Sequence, residues 1–175
     1  LPNNFELARK RLVSLGKRLT LDIKLYSQYV EGMTNNFSKG FAEKVTSDGE
    51  DGKVWYIPHH HVFHPRKPGQ MRIVFDASAS LGSISLNNSV HQGPNLASNI
   101  ISVLLCFRQH PYAFTADIEG MYNMVKVSPE DRECLRFLWW ENNEVGSNID
   151  SYRMTTHLFG GGWSPSAAIF ALLQV

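Results

Sequence analysis

The sequence predicts an α+β protein in which helices and short antiparallel strands are mixed. Apolar residues recur three and four positions apart near the amino terminus, as in amphipathic helices, whereas later segments alternate apolar and polar side chains, as strands do. The predicted elements do not follow the regular strand-helix-strand order of a parallel sheet. With 175 residues, of which 43% are hydrophobic, the chain is long enough for one good-sized core or two small subdomains.

The composition excludes some classes of protein and leaves others open. A net charge of +1, from 17 basic and 16 acidic residues, neither requires nor excludes a nucleic-acid partner. Two cysteines cannot form a disulfide framework or a four-ligand zinc site, and no run of about 18 apolar residues predicts a membrane span. Because the chain begins without methionine and ends within an apolar run, we expect it to be a piece of a larger polypeptide.

Two helices are predicted in residues 1–40. Their apolar stripes are Phe5, Ala8, Leu12, Leu15 and Leu19 in the first helix, and Tyr26, Val30, Met33 and Phe37 in the second. Asn3 and Glu6 have the spacing of a capping box, Thr20 is placed to cap the second helix, and Gly40 suits its end. The basic run 9–11 lies on the wet side of the first helix, where we expect a solvated face rather than a nucleic-acid contact.

Strands and loops are predicted from residue 41 onward. We expect strands near 41–45, 54–63, 71–76, 112–117, 134–140 and 152–158, a loop at 78–95, a helix at 96–107, a short helical turn from Ser128 and Pro129, and a final helix from Ser164 and Pro165. The turn PRKPGQ joins the second and third strands into a hairpin with Arg66 and Lys67 at its tip. Arg72 lies on the polar side of the third strand, opposite Met71 and Ile73.

A carboxylate, Asp117, stands at the end of the apolar run 112–116. Aspartate is disfavoured within strands and is rarely fully buried unless it is paired. Asp117 either ends the strand in a turn that Gly120 completes, or it binds a metal ion at the strand end. The local pattern alone leaves both interpretations open.

Four histidines, His59, His60, His61 and His64, lie close together in the sequence. On a strand, His59 and His61 share one face while His60 faces the other way, so at most two neighbours converge. A zinc site normally needs four converging ligands, and no cysteine is near. We therefore expect structural or exposed histidines, with a zinc module as the distant alternative.

The glycine-rich stretch FGGGWSPS, residues 159–166, leads into the last predicted helix. Consecutive glycines allow another chain or a ligand to approach the backbone closely. The free N–H groups at the start of the helix would suit an anion. A flexible loop without a ligand is the other interpretation.

Eight segments of the chain, taken in order, resemble one protein family. They are LPNNFELARKRL, WYIPHHHVFHP, MRIVFDASA, LNNSVHQGP, TADIEGMY, EDRECLRFLWW, YRMTTHLFG and SPS. Together they resemble the reverse transcriptase domain of long-terminal-repeat retroelements, and specifically of the BEL/Pao group, over essentially the whole chain. Matches in a fixed order are far more specific than any one of these segments.

The resemblance implies a right-hand polymerase fold, with fingers and the first part of an antiparallel palm sheet backed by helices. It divides the chain into a helical lead-in (1–40), a fingers subdomain (41–110) and an incomplete palm (111–175). It also implies a cytoplasmic location, including virus-like particles, and no membrane. The partners that it implies are an RNA or DNA template with its primer, deoxynucleoside triphosphates, and the rest of the retroelement polyprotein, namely the remaining palm, the thumb, ribonuclease H and integrase.

The match to TADIEGMY implies a metal site and a sugar site. By this match, Asp117 is a ligand of two catalytic magnesium ions, which manganese could replace, and the Ile118 carbonyl helps to hold the ion that the nucleotide carries. Hard cations prefer such oxygen ligands. Tyr122 would pack beneath the sugar and exclude a 2′-hydroxyl group.

Other matches imply contacts with the rest of the nucleotide. Arg72 would contact the triphosphate, where its fork of N–H donors suits phosphate oxygens, and Lys67 or Arg66 would supply a second cation. Phe159 and Gly160 would line the nucleotide and the template. We therefore expect Arg72, Asp117 and Tyr122 to face one open cleft.

One part of the family pattern is absent from these 175 residues. The third motif, an aromatic residue followed by two adjacent aspartates, is expected beyond residue 175. A single carboxylate is insufficient for two divalent ions, so we expect this chain alone to be inactive although its parent is an RNA-directed DNA polymerase. The alternative is a non-catalytic, nucleic-acid-binding remnant of a retroelement.

Overall fold

The computed structural model describes residues 1–63, 69 and 71–175, and it confirms the mixed α+β class. Within these residues the helices are α1 (Phe5–Leu19), α2 (Ile23–Ser38), α3 (Leu86–Ser89), α4 (Ile100–Phe107) and α5 (Ser164–Leu172). The strands are β1 (Ala42–Lys44), β2 (His59–Phe63), β3 (Met71–Phe75), β4 (Ser80–Leu81), β5 (Ile84–Ser85), β6 (Arg136–Trp140) and β7 (Ile149–Met154). Short 3₁₀ helices span Met121–Met124, Pro129–Leu135 and Glu141–Asn143.

The described strands pair as antiparallel sheets in the orders β1-β7-β6, β2-β3 and β4-β5. Ala42 pairs with Met154, so the largest sheet contains strands from both of the predicted subdomains 41–110 and 111–175. Val62 pairs with Arg72, which confirms the predicted hairpin. Arg66 and Lys67, which are predicted at the tip of this hairpin, lie outside the described part of the chain, as does His64 of the histidine cluster.

Helices α1 and α2 form because their apolar residues recur on one side and are buried there. The buried positions are Ala8, Leu12, Leu15, Gly16 and Leu19 in α1, and Leu25, Tyr29 and Met33 in α2. The basic run 9–11 is exposed, which confirms a solvated face. Gly40 follows α2 with φ of 68°, a conformation that glycine adopts without strain and that suits a helix end.

The predicted caps of these two helices are wrong in detail. The carboxylate of Asp22, rather than the hydroxyl of Thr20, caps α2 by accepting a hydrogen bond from the Leu25 N–H at 3.0 Å. Thr20 instead ends α1. The capping box is incomplete because Glu6 binds Arg9 at 2.9 Å and does not reach back to the start of the helix.

The core lies between α1, α2 and the two larger sheets, and aromatic rings form its centre. The rings of Tyr29 and Trp139 stack at 5.4 Å. His59 is buried among them, and its Nε2 lies 2.9 Å from the Leu138 carbonyl while its Nδ1 lies 2.6 Å from the Tyr29 hydroxyl. A carbonyl can only accept, so Nε2 donates and Nδ1 accepts from the tyrosine. His59 is therefore a structural residue that joins α2, β2 and β6.

This buried histidine should make stability fall in mild acid. Burial lowers the pKa of His59 to about 4, although its hydrogen bond to the Leu138 carbonyl acts in the opposite direction. The unfolded chain, with an ordinary histidine pKa near 6.5, takes up this proton first, so the free energy of unfolding should fall by about 3 kcal/mol between pH 6.5 and pH 4. Urea titrations at several pH values should show that the free energy of unfolding falls less in His59→Leu than in the unmodified chain. In the exposed His91→Gln it should fall by the same amount as in the unmodified chain. Equal pH dependence in all three chains would contradict this role.

The predicted strand at 112–117 is wrong, because the segment is irregular and exposed. Tyr112 is 91% exposed and Phe114 is 93% exposed. A strand needs a neighbour to pair its backbone N–H and C=O groups, and no described strand lies beside this segment.

The predicted loop at 78–95 is also corrected, since it contains β4, β5 and α3. The last strand ends at Met154 rather than at residue 158.

Helix α4 is apolar nearly all round and yet none of its residues is buried. Ile101 and Leu105 are each 65% exposed. Asn99 caps the helix, since its side-chain oxygen accepts from the Ile101 N–H at 2.9 Å. Among the described residues, no helix has the length and apolar character that a membrane span requires.

Candidate functional site

An open cleft of about 950 Å³ lies between the β2-β3 hairpin, α2 and the segment 116–123. Predicted site residues lie along it: Arg72, Asp117, Ile118, Tyr122 and Phe159. Gly160 follows Phe159 directly, and Lys67 lies outside the described residues. The structure thus brings together residues that are far apart in the sequence.

Arg72 reaches the cleft from the outer face of the hairpin. It pairs with Val62 across the two strands and is exposed. Phe75, on the other face of the same strand, is buried. In the part of the chain that the structure describes, its guanidinium makes no ion pair. A guanidinium beside a cleft that forms no ion pair with the described residues can bind an anion without first breaking such a pair.

Asp117 and Ile118 also line the cleft, just before a tight turn. Gly120 makes the turn with φ of 60° and ψ of 35°, and its carbonyl accepts a hydrogen bond from the Asn123 N–H at 2.7 Å. The 3₁₀ helix that follows carries Tyr122. Asp117 is exposed, and no described cation pairs with its carboxylate.

Two aromatic rings in the lining of the cleft pack against each other. The rings of Tyr122 and Phe159 lie 4.8 Å apart and are inclined by 61°, the edge-to-face geometry that aromatic pairs prefer. Phe159 is 62% exposed, so most of its surface is open to a ligand. Buried apolar side chains, Met154 and Leu158, also line the cleft.

The loop after Phe159 rests against the end of β3. Gly160 has φ of 103°, and a Cβ atom at this position would lie 2.3 Å from the Phe75 carbonyl oxygen. Only glycine therefore allows this approach. The Trp163 indole donates to His157 Nδ1 at 3.1 Å, and the buried Ser164 hydroxyl donates to the Leu158 carbonyl at 2.8 Å. The glycine-rich stretch is thus an anchored loop.

Sequence reasoning missed residues of α2 and α3 that belong to this site. Gly32 and Asn36 of α2 line the cleft. A Cβ atom at Gly32 would lie 2.8 Å from Ile73 Cδ1, so the glycine lets the helix approach β3. A glycine inside a helical pattern was the only signal for this contact. Asn87 of α3 binds the loop after Phe159, and nothing in its local pattern predicted that role.

The described residues supply only part of a metal site. Asp117 and the Ile118 carbonyl offer hard oxygen ligands, which suit magnesium. Among residues 1–63, 69 and 71–175, however, no three His, Cys, Asp or Glu side chains are grouped so as to hold a metal ion. His59 already uses both of its ring nitrogens in hydrogen bonds, so it is not available as a zinc ligand.

No protein-family model matches this sequence, and no curated protein matches it at a significant level. The resemblance to reverse transcriptases therefore depends on the ordered sequence motifs alone. The function that follows from them is a proposal.

Proposed function

We propose that this chain is the fingers and the first part of the palm of an RNA-directed DNA polymerase, and that its cleft binds the incoming deoxynucleoside triphosphate. One observation carries the proposal. Residues that three separate motifs assign to the nucleotide or to its metal ions, including Arg72, Asp117 and Phe159, line the same cleft although they lie far apart in the sequence. A volume of about 950 Å³ can accommodate a nucleotide.

The chemistry of the walls matches the parts of a nucleoside triphosphate. Arg72 would bind the phosphate oxygens through its fork of N–H donors. Tyr122, backed by Phe159, would lie beneath the sugar. The N–H groups of the turn after Asp117 would add neutral donors to the phosphates, because a tight turn directs successive backbone N–H groups into one space.

Catalysis of nucleotide addition requires more than these residues. When bound, magnesium would supply activation of the primer hydroxyl and neutralisation of the leaving pyrophosphate. Asp117 and the Ile118 carbonyl are suitable ligands, but they are not a complete set, and these 175 residues contain no adjacent pair of aspartates. We therefore assign nucleotide binding, and not the chemical step, to this chain by itself.

Nucleotide binding can be measured directly on the 175-residue chain. We expect dATP, added to the ¹⁵N-labelled chain with magnesium present, to shift the amide resonances of residues 116–123 and 158–160. Arg72→Gln should weaken dATP binding at least about tenfold, because a charge-assisted hydrogen bond contributes about 1.5–3 kcal/mol. Arg108→Gln removes the same charge from an exposed position outside the cleft and should leave the affinity unchanged.

The outcome separates the two functional readings of the sequence. Binding that depends on Arg72 and shifts the cleft resonances supports the polymerase fragment. If the chain bound an RNA–DNA duplex but no dATP, the non-catalytic nucleic-acid-binding remnant would be favoured. Equal loss of dATP binding in the Arg72 and Arg108 variants would indicate a general charge effect and would remove Arg72 from the site.

A further inference from the structure

The loop that begins at Phe159 is held by one side chain from a distant part of the chain, Asn87. The Asn87 amide nitrogen donates to the Gly160 carbonyl at 3.1 Å and to the Ser78 hydroxyl at 2.8 Å. Its amide oxygen accepts from the Gly162 N–H at 2.8 Å. One side chain therefore binds both sides of this turn.

Asn87 is itself fixed to the strand that carries Arg72. Its backbone N–H donates to the Ala77 carbonyl at 3.0 Å, two residues after the end of β3. Gly160 also packs against the Phe75 carbonyl at this strand end. The hydrogen bonds of Asn87 thus join the loop of Phe159 to the strand of Arg72.

Asn87 does not line the cleft, so any effect on a ligand must pass through the loop. Phe159 comes directly before Gly160, and its ring supports the ring of Tyr122 at 4.8 Å. We propose that Asn87 is a positioning residue, which keeps Phe159 against Tyr122 and thereby sets the preference of the cleft for deoxyribonucleotides over ribonucleotides. This inference depends on the nucleotide-binding function proposed above.

The chemistry of the side chain explains why asparagine stands here. The loop presents a carbonyl acceptor at Gly160 and an N–H donor at Gly162, and a primary amide satisfies both. Aspartate would keep the bond from the Gly162 N–H and can accept from the Ser78 hydroxyl, but it would lose the bond to the Gly160 carbonyl. Alanine would lose all three.

The test compares dATP with ATP as probes for the 175-residue chain and its variants. Titrations followed by amide chemical shifts should give a preference for dATP in the unmodified chain. In Asn87→Ala this preference should fall by about threefold or more, the size typical of residues that act on a site through a network. Asn87→Asp should show an intermediate fall. Exchange of the Gly162 amide proton should become faster in Asn87→Ala, since that N–H loses its acceptor.

The neighbouring Asn88 is a matched control. Its side chain is exposed and makes no hydrogen bond within the described residues, so Asn88→Ala should leave the preference and the Gly162 exchange unchanged. If Asn87→Ala kept the dATP preference of the unmodified chain, the positioning role of Asn87 would be rejected. The proposed nucleotide-binding function would not be affected by that result. Equal loss of affinity for dATP and for ATP in Asn87→Ala, together with a lower melting temperature, would also reject the positioning role. Failure of the unmodified chain to bind either nucleotide would instead overturn the proposed function.

Discussion

Replacing Tyr122 with valine, in an active polymerase that contains this chain, should raise the incorporation of ribonucleotides relative to deoxynucleotides by about 10²-fold. A smaller side chain removes the overlap with a 2′-hydroxyl group, and such a ratio corresponds to about 2.7 kcal/mol of discrimination. The structure adds a reason for the size of the effect. The Phe159 ring packs against the tyrosine ring with centroids 4.8 Å apart, and this contact opposes displacement of the tyrosine by a hydroxyl.

The measurement is primer extension with paired ribo- and deoxynucleotides, expressed as the ratio of kcat/KM values. Asp117→Asn is the contrasting variant, because a weaker metal ligand should abolish incorporation of both sugars. An unchanged ratio in an otherwise active Tyr122→Val enzyme would show that Tyr122 is only a packing residue. The 175-residue chain alone should not extend a primer in either case.

Loss of the Glu133 carboxylate should lower the free energy of unfolding by about 3 kcal/mol or more. Arg136 is 1% exposed, and its Nε donates to Glu133 Oε2 at 2.9 Å. Glu133 also binds Arg153, which in turn donates to Glu43 at 2.7 Å. Burial alone would raise the pKa of Glu133, but hydrogen bonds from the two arginines hold it below its usual value. Removing the carboxylate leaves a buried guanidinium without its counter-charge.

Glu133→Gln tests this charge with little change of volume, and Glu6→Gln is the matched control. Glu6 binds Arg9 at a similar 2.9 Å, but both side chains are largely exposed to solvent, so its loss should lower stability far less than the loss of Glu133. Urea denaturation of the three chains at pH 7 gives the comparison. Similar stabilities of the two variants would mean that water replaces the Glu133 carboxylate at little cost.

The sequence predicted best those features that depend on neighbouring residues. The stripes of α1 and α2 and the alternation in β3 follow from local periodicity, and the structure contains all three elements. The strand at 112–117 was predicted on the same grounds but is absent, because apolar character cannot supply a partner strand. Asp22 replaced Thr20 as the cap because both residues are good caps and the pattern does not choose between them.

The site was predicted in part because its residues belong to motifs. Arg72, Asp117 and Tyr122 were assigned through the resemblance, and the fold brings them to one cleft. Asn36 and Asn87 escaped prediction because their roles depend on contacts across long stretches of sequence. Asn87, for example, binds a loop 73 residues further along the chain. Local spacing carries no information about such a contact.

The pairing of β1 with β7 has a consequence for the order in which the chain can fold during synthesis. Ala42 must wait for Met154 before its backbone groups find their partners, and closing so long a loop is slow. Helices α1 and α2 form from local contacts and can exist earlier, with their apolar sides open to other molecules. A nascent chain that has been made only as far as residue 150 therefore contains α1 and α2 together with an unpaired β1. The emerging chain should depend on chaperones until the seventh strand has left the exit tunnel.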